Sequence, residues 1–461
     1  MVFFVKLGCG SAKQMKILRL FFALLSPCTN FAGSKTMKMT HRLFSFLLAL
    51  CCLPLSAQND RAEKTLRVDY QFAGNATHQY IALSELSAYK GWAGRSVNVD
   101  SLALHGNGDI TLTDARTGRT LYTQSFSTLF QEWVTTDEAR TLTRSFENTF
   151  LLPMPADSAR ITVRLYHANQ QEMVRFTHTV RPEDILIRQL DCRQVAPHRY
   201  LLQSGRPEEK IDVAIVAEGY TEGEMEQFYA AAQETVDAIL SHEPFGRLKD
   251  RFNFVAVGLP SAQSGVSVPH EGSWTQSALS SHFSTFYSDR YLTTLHLFDL
   301  HNALTGIPYE HIVILANTET YGGGGIYNSY TLTTVRNPKF RPVVVHEFGH
   351  SFAGLADEYA YNDAYGDFYF ADVEPWEQNI TTLCDFGRKW QDMLPKKTPV
   401  PTPVEGRKPN DLGVYEGAGY MPRGVYRPTP DCRMRTNECK AFCPVCQRAI
   451  ERLIQYYTQE D

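Results

Sequence analysis

Between Thr65 and Arg188 apolar and polar residues alternate over short stretches, among them Asp109-Ile-Thr-Leu-Thr113, Thr120-Leu-Tyr-Thr-Gln-Ser-Phe126 and Ile161-Thr-Val-Arg-Leu-Tyr166. A period of two puts successive side chains on opposite faces of a strand, so each stretch reads as a half-buried strand. The turn Arg116-Thr-Gly-Arg119 joins the first two as a hairpin. The spacing of strands and turns predicts a β-sandwich domain over residues 60–190. His167 and His178 fall in this region with no partner at ligand spacing, and nothing in it points to catalysis.

The pattern changes after Cys192. Ile211-Asp-Val-Ala-Ile-Val-Ala217 is a near-continuous apolar run, followed over Glu222 to Ser241 by a helical stripe of Met225, Phe228, Tyr229, Ala232, Val236 and Ile239. Arg251 to Val257 and His311 to Ala316 supply two more strands. Strands alternating with helices predict an α/β domain over residues 196–461. Tyr321-Gly-Gly-Gly-Gly-Ile-Tyr-Asn-Ser-Tyr330 allows two readings: a flexible turn, or an edge strand on which an extended peptide could pair. Pro395 to Pro409 reads as a surface loop.

Composition narrows the function classes. A net charge of -5, from 45 basic and 50 acidic residues, offers no basic patch for nucleic acid. Residues 1–57 read as an upstream extension plus signal peptide. Basic residues from Lys38 to Arg42 precede the apolar run Leu43 to Leu55, and Ser56-Ala57-Gln58 offers a cleavage point after Ala57. The apolar run is too short to span a bilayer, which takes about 20 residues. Met37 or Met39 is an alternative start, and Cys51 an alternative site for a lipid anchor. An exported chain is therefore expected, with no membrane span. Beyond the signal stand Cys192, Cys384, Cys432, Cys439, Cys443 and Cys446. Export favours disulfides among them, and the tail Cys432-x6-Cys439-x3-Cys443-x2-Cys446 could alternatively hold a structural zinc through four thiolates.

The passage that carries chemistry is Pro342-Val-Val-Val-His346-Glu347-Phe-Gly-His350-Ser-Phe-Ala-Gly354-Leu-Ala-Asp357-Glu358-Tyr359. Proline suits the first turn of a helix, and His346 and His350, at i and i+4, then project from one face. Two imidazoles so placed can grip one zinc ion, which in catalytic sites keeps a further position for water. Glu347 is free to act as general base on that water, whose pKa the metal lowers to roughly 7. Gly354 lets the helix end and the chain turn back, so a carboxylate just beyond it can complete the metal site. Asp357 is the first choice, with Glu358 and Asp363 as alternatives.

These residues, together with Ala217-Glu-Gly-Tyr-Thr221, Tyr426-Arg-Pro428, Cys432-Arg-Met434 and Phe442-Cys-Pro-Val-Cys446, resemble the bacterial IgA metalloendopeptidase family, a metzincin-like group of zinc peptidases, from about Pro197 to the C-terminus. The resemblance implies an α/β (α+β) metzincin-like peptidase domain behind the β-sandwich, with one catalytic zinc and a protein or peptide substrate. It also implies a methionine turn beneath the metal, for which Met434 is the first choice and Met421 the second. Tyr426 is the candidate for polarising the scissile carbonyl or steadying the oxyanion. Two departures stand out: Gly354 follows His346 by eight residues instead of seven, and an aspartate replaces the usual third histidine. The family name points to immunoglobulin A or to other host or dietary proteins, but no segment here encodes recognition of an IgA hinge. The rival class is a catalytically silent protein- or glycan-binding protein on the same scaffold. Oligomeric state is not encoded in any pattern found.

Overall fold

The structure, a computed structural model, describes residues 63–361 and 368–459. The expected signal peptide, Cys51 and Asp363 lie outside the described residues. The chain begins with β1 (Lys64–Gly74), β2 (Gln79–Lys90), β3 (Gly108–Asp114), β4 (Thr120–Phe126), the short helix α1 (Leu129–Trp133), β5 (Arg144–Pro153), β6 (Ala159–Tyr166), β7 (Glu172–Val180) and β8 (Arg188–Gln189). They form two four-stranded sheets, ordered β5-β1-β2-β8 and β4-β3-β6-β7.

Burial alternates with period two along β5 and β6, as the sequence pattern requires of strands with one face in a core. The inward faces meet through aromatic contacts such as Phe72 with Phe126, Phe126 with Phe150 and Tyr70 with Phe176. Strand β1 departs from alternation and is buried on nearly every residue. Its second face is covered by the later part of the chain, where Arg67 pairs with Asp69 at 2.9 Å and donates to Asn302 Oδ1 at 2.7 Å.

That later part contains β9 (His198–Gln203), β10 (Ile211–Glu218), α2 (Met225–Leu240), β11 (Phe252–Val257), α3 (Leu297–Ala303), β12 (His311–Ala316), β13 (Gly323–Ile326), β14 (Tyr330–Thr334), α4 (Phe340–Ala353), β15 (Tyr415–Ala418), β16 (Met421–Arg427) and α5 (Pro444–Thr458). A six-stranded sheet runs β13-β14-β12-β10-β11-β9. Its four inner strands are parallel, and both edges, β9 and β13, are antiparallel.

Parallel strands need both faces covered, which explains the unbroken apolar runs of β10, β11 and β12. One face, with Val213, Ile215 and Ala217 of β10, packs on Phe228 and Val236 of α2 and on Val344, Phe348 and Phe352 of α4. The other face, with Ala214 and Val216, joins the core of the N-terminal sheets. Helix α2 is entered through a capping box between Thr221 and Glu224, so its first turn starts where the stripe begins.

Two sequence expectations meet a definite outcome here. The glycine-rich segment is an edge strand, β13, not a free turn, and its outer side is engaged at Gly323, whose N–H donates to the Arg290 carbonyl at 3.3 Å. The expected disulfides are not formed: all six described cysteines are free. The sulfurs of Cys432 and Cys446 are 3.8 Å apart, whereas a disulfide requires about 2.05 Å. Among the described residues no helix is long and apolar enough to cross a membrane.

Candidate metal centre

Helix α4 starts at Phe340, with Pro342 in its first turn, and ends at Gly354, whose φ of +57° is the left-handed conformation that glycine adopts at no steric cost. A side chain there would also collide with the ring of Trp376. The turn carries the chain back beneath the helix, so that Asp357 returns to the face bearing His346 and His350.

The three side chains converge. His346 Nε2 lies 3.0 Å and His350 Nε2 3.3 Å from Asp357 Oδ1, and the two Nε2 atoms are 3.0 Å from each other. Ligand atoms on a tetrahedral zinc, each at about 2.0–2.1 Å, stand about 3.3 Å apart. Backbone carbonyls fix the imidazoles: His346 Nδ1 donates to Arg433 O at 3.0 Å and His350 Nδ1 to Leu355 O at 2.5 Å. With the proton held on Nδ1, each Nε2 presents its lone pair to the common centre. Two N–H groups cannot face each other at 3.0 Å, and Asp357 Oδ1, although buried, has no well-aligned hydrogen bond. A divalent cation between the three atoms satisfies all of them at once, so the residues fit a metal ion.

Electrostatics agree with the geometry. Burial alone would raise the Asp357 pKa, but the two imidazoles outweigh it and hold the carboxyl well below its usual range. Burial disfavours a charged His350, yet Asp357 and Glu347 prevail and raise its pKa to about 9. Protons and a metal ion therefore compete for the same atoms. Glu347 is pushed upward by burial, against the pull of His346 and His350, which suits a group that must accept a proton.

Glu347 lies against β13. A Cβ built on Gly323 would stand 3.1 Å from Glu347 Cγ, so the bare glycine backbone is what lets the edge strand run beside this carboxylate. Below the helix, a Cβ on Gly349 would stand 2.7 Å from Met434 Sδ. Met434 thus packs under the segment between the two histidines, and its carbonyl accepts the Glu358 N–H at 2.8 Å. Met421, by contrast, packs on a small separate core of Ala356, Ile380, Ala418 and Val425.

The alternative ligand Glu358 and the candidate Tyr426 do not join the group of His346, His350 and Asp357. Glu358 follows Asp357 but points away from the histidines, into a cluster with Cys432, Cys443 and Cys446. Tyr426 makes no hydrogen bond to His346, Glu347, His350 or Asp357; its backbone pairs with Thr381, and its ring packs on the core beneath α4. Two other tyrosines reach Asp357: Tyr420, whose hydroxyl donates to Asp357 Oδ2 at 2.5 Å, and Tyr359, whose side chain also bonds to it. Tyr420 and Gly419 form the two-residue turn between β15 and β16, with φ of +65° and +56°. Both central positions of such a turn require positive φ, which is costly for tyrosine. The Gly-Tyr pair was the available signal, and it reads as a turn only once β15 and β16 are known to pair.

A cavity lined by Trp92, Tyr122, Tyr309 and Tyr457 among others includes none of these residues.

Comparison with protein families adds an independent line. The model described as IgA Peptidase M64 matches residues 200–408 and 404–454, and that described as Peptidase M64 N-terminus matches residues 58–177. No curated protein gives a match. The peptidase model alone covers more than half of the 461 residues and includes the whole of α4 and the turn that follows it, and on this ground the chain belongs to the IgA peptidase M64 family, a family of peptidases.

Proposed function

We propose that the protein is an exported zinc endopeptidase with a metzincin-like catalytic domain, in which His346, His350 and Asp357 hold one zinc ion. The observation that carries this reading is the convergence of two backbone-oriented Nε2 atoms and one carboxylate oxygen beside Glu347. Bound there, zinc supplies a Lewis acid and an acidified water. Glu347 is the base that takes the proton, held in place by the close passage of β13. Met434 supports the histidines from below, and Tyr420 fixes the orientation of Asp357. An extended peptide would lie near β13 beyond the stretch engaged by Arg290 and Tyr291. Substrates are extracellular or periplasmic proteins.

The test is mass-spectrometric detection of cleavage in a diverse peptide library by the chain from Gln58 onward, beside its Glu347→Ala variant. Cleavage that needs zinc, and a variant that binds zinc but cleaves nothing, is the expected result. An equally active variant would remove Glu347 from the mechanism.

A further inference from the structure

Behind the candidate metal centre lies a second convergence of ligand-type side chains. Cys432, Cys443, Cys446 and Glu358 are all fully buried, and each offers one ligand atom within 4.8 Å of the others. Cys432 Sγ and Cys446 Sγ are 3.8 Å apart, and Cys446 Sγ lies 3.1 Å from Glu358 Oε1. Two thiolates on a tetrahedral zinc, each at about 2.3 Å, stand about 3.8 Å apart. Cys439, the remaining cysteine of the tail, is not in the group and faces the Ala441 carbonyl.

The surroundings are built for thiolates. Cys443 caps α5, and its sulfur accepts the Cys446 N–H at 3.4 Å, while the Cys443 N–H points to Cys432 Sγ at 3.2 Å. Cys443-x2-Cys446 at a helix start, with backbone N–H groups aimed at sulfur, is a spacing that zinc sites use. Asn379 Nδ2 donates to Glu358 Oε1 at 3.0 Å and so orients the carboxylate. The other oxygen, Oε2, is buried without a hydrogen bond. Arg427 attracts this carboxylate at a distance but donates to the carbonyls of Glu416 and Gly417. Burying a carboxylate oxygen with no partner is costly unless something cationic meets it.

We propose that Cys432, Cys443, Cys446 and Glu358 bind a second, structural metal ion, of the zinc class, separate from the one held by the histidines. Each thiol that ligates loses its proton to solvent on binding. The ion would tie together three segments that shape the catalytic floor. Glu358 adjoins Asp357. Cys432 adjoins Arg433, whose carbonyl orients His346, and precedes Met434 by two residues. Cys443 and Cys446 anchor α5. The site is thus a clamp on the geometry of the first.

The proposal does not depend on catalysis. The experiment loads the chain from Gln58 onward with cobalt in place of its native metal and records the near-ultraviolet spectrum. Thiolate-to-cobalt charge transfer is expected, which a centre of two imidazoles and a carboxylate cannot give. Metal analysis of a His346→Ala, His350→Ala double variant should still find close to one ion per chain, with the same band; Cys443→Ser should lose the band and melt at a lower temperature. If Cys443→Ser does not fold, thiol titration of the native chain decides: the three cysteines should react only after a chelator strips the metal. Absence of the band from the cobalt-loaded chain, or a Cys432–Cys446 disulfide in the mass spectrum of the folded protein, overturns the proposal.

Discussion

Gly325 and His350 approach so closely that a methyl group on the glycine would stand 2.9 Å from His350 Cβ and overlap the Glu347 carbonyl oxygen. The edge strand and the helix are in backbone contact at the point where two of the site's side chains leave the helix. Gly325→Ala must therefore displace one element from the other. Overpacking of this kind costs about 1–3 kcal/mol, so the variant should melt at a lower temperature. Its histidines should also be misplaced: metal binding measured by calorimetry should weaken. A variant with native melting and native affinity would show that β13 can retreat freely.

Tyr420 tests whether the orientation of Asp357 matters. Tyr420→Phe removes the hydroxyl that donates to Asp357 Oδ2 and leaves the ring that stacks on Tyr361. Loss of an outer partner of a metal ligand usually lowers affinity about 10–100-fold. That drop, with an unchanged melting temperature for the metal-free protein, is the expected outcome. Unchanged affinity would assign Tyr420 to packing alone.

Metal uptake should depend on pH with a definite sign. Because His350 is raised to about 9, it carries a proton at neutral pH when no metal competes. Acid favours the competitor, so apparent affinity should fall as pH falls, by about tenfold per unit for each proton displaced, and level off above about pH 9. Competition against a chelator across this range measures it. A flat profile below pH 8 would mean that the imidazoles are held neutral and that the carbonyl partners of Nδ1 dominate.

Much of this architecture was legible in the residues. Alternation located the N-terminal strands, the unbroken run Ile211 to Ala217 identified a strand covered on both faces, and the i, i+4 histidines with Gly354 placed the helix, its end and the return of Asp357. What stayed hidden depends on contacts distant in sequence. Glu358 and Asp357 are neighbours with opposite destinations, and only the fold shows which carboxylate meets the histidines. Tyr420 is separated from Asp357 by 63 positions and reaches it through a turn that tyrosine rarely occupies. Tyr426, attractive by its motif, is held by pairing with Thr381. The expectation of export argued for disulfides, but it carries no information about which sulfurs converge.

The face of the six-stranded sheet that bears Ala214, Val216, Ile312 and Ile314 shares one core with Leu297 and Leu300 of α3 and with the N-terminal sheets. At the other extremity, Asn98 donates to the carbonyls of Tyr456 and Gln459 near the end of α5, and Tyr456 returns a hydrogen bond to Ser101. Neither half is thus a portable cassette. A chain begun at the peptidase portion would wet an apolar sheet face and remove hydrogen-bond partners from the far end of the helix that Cys443 caps, so exchange of front segments between relatives must carry the matching sheet surface with it.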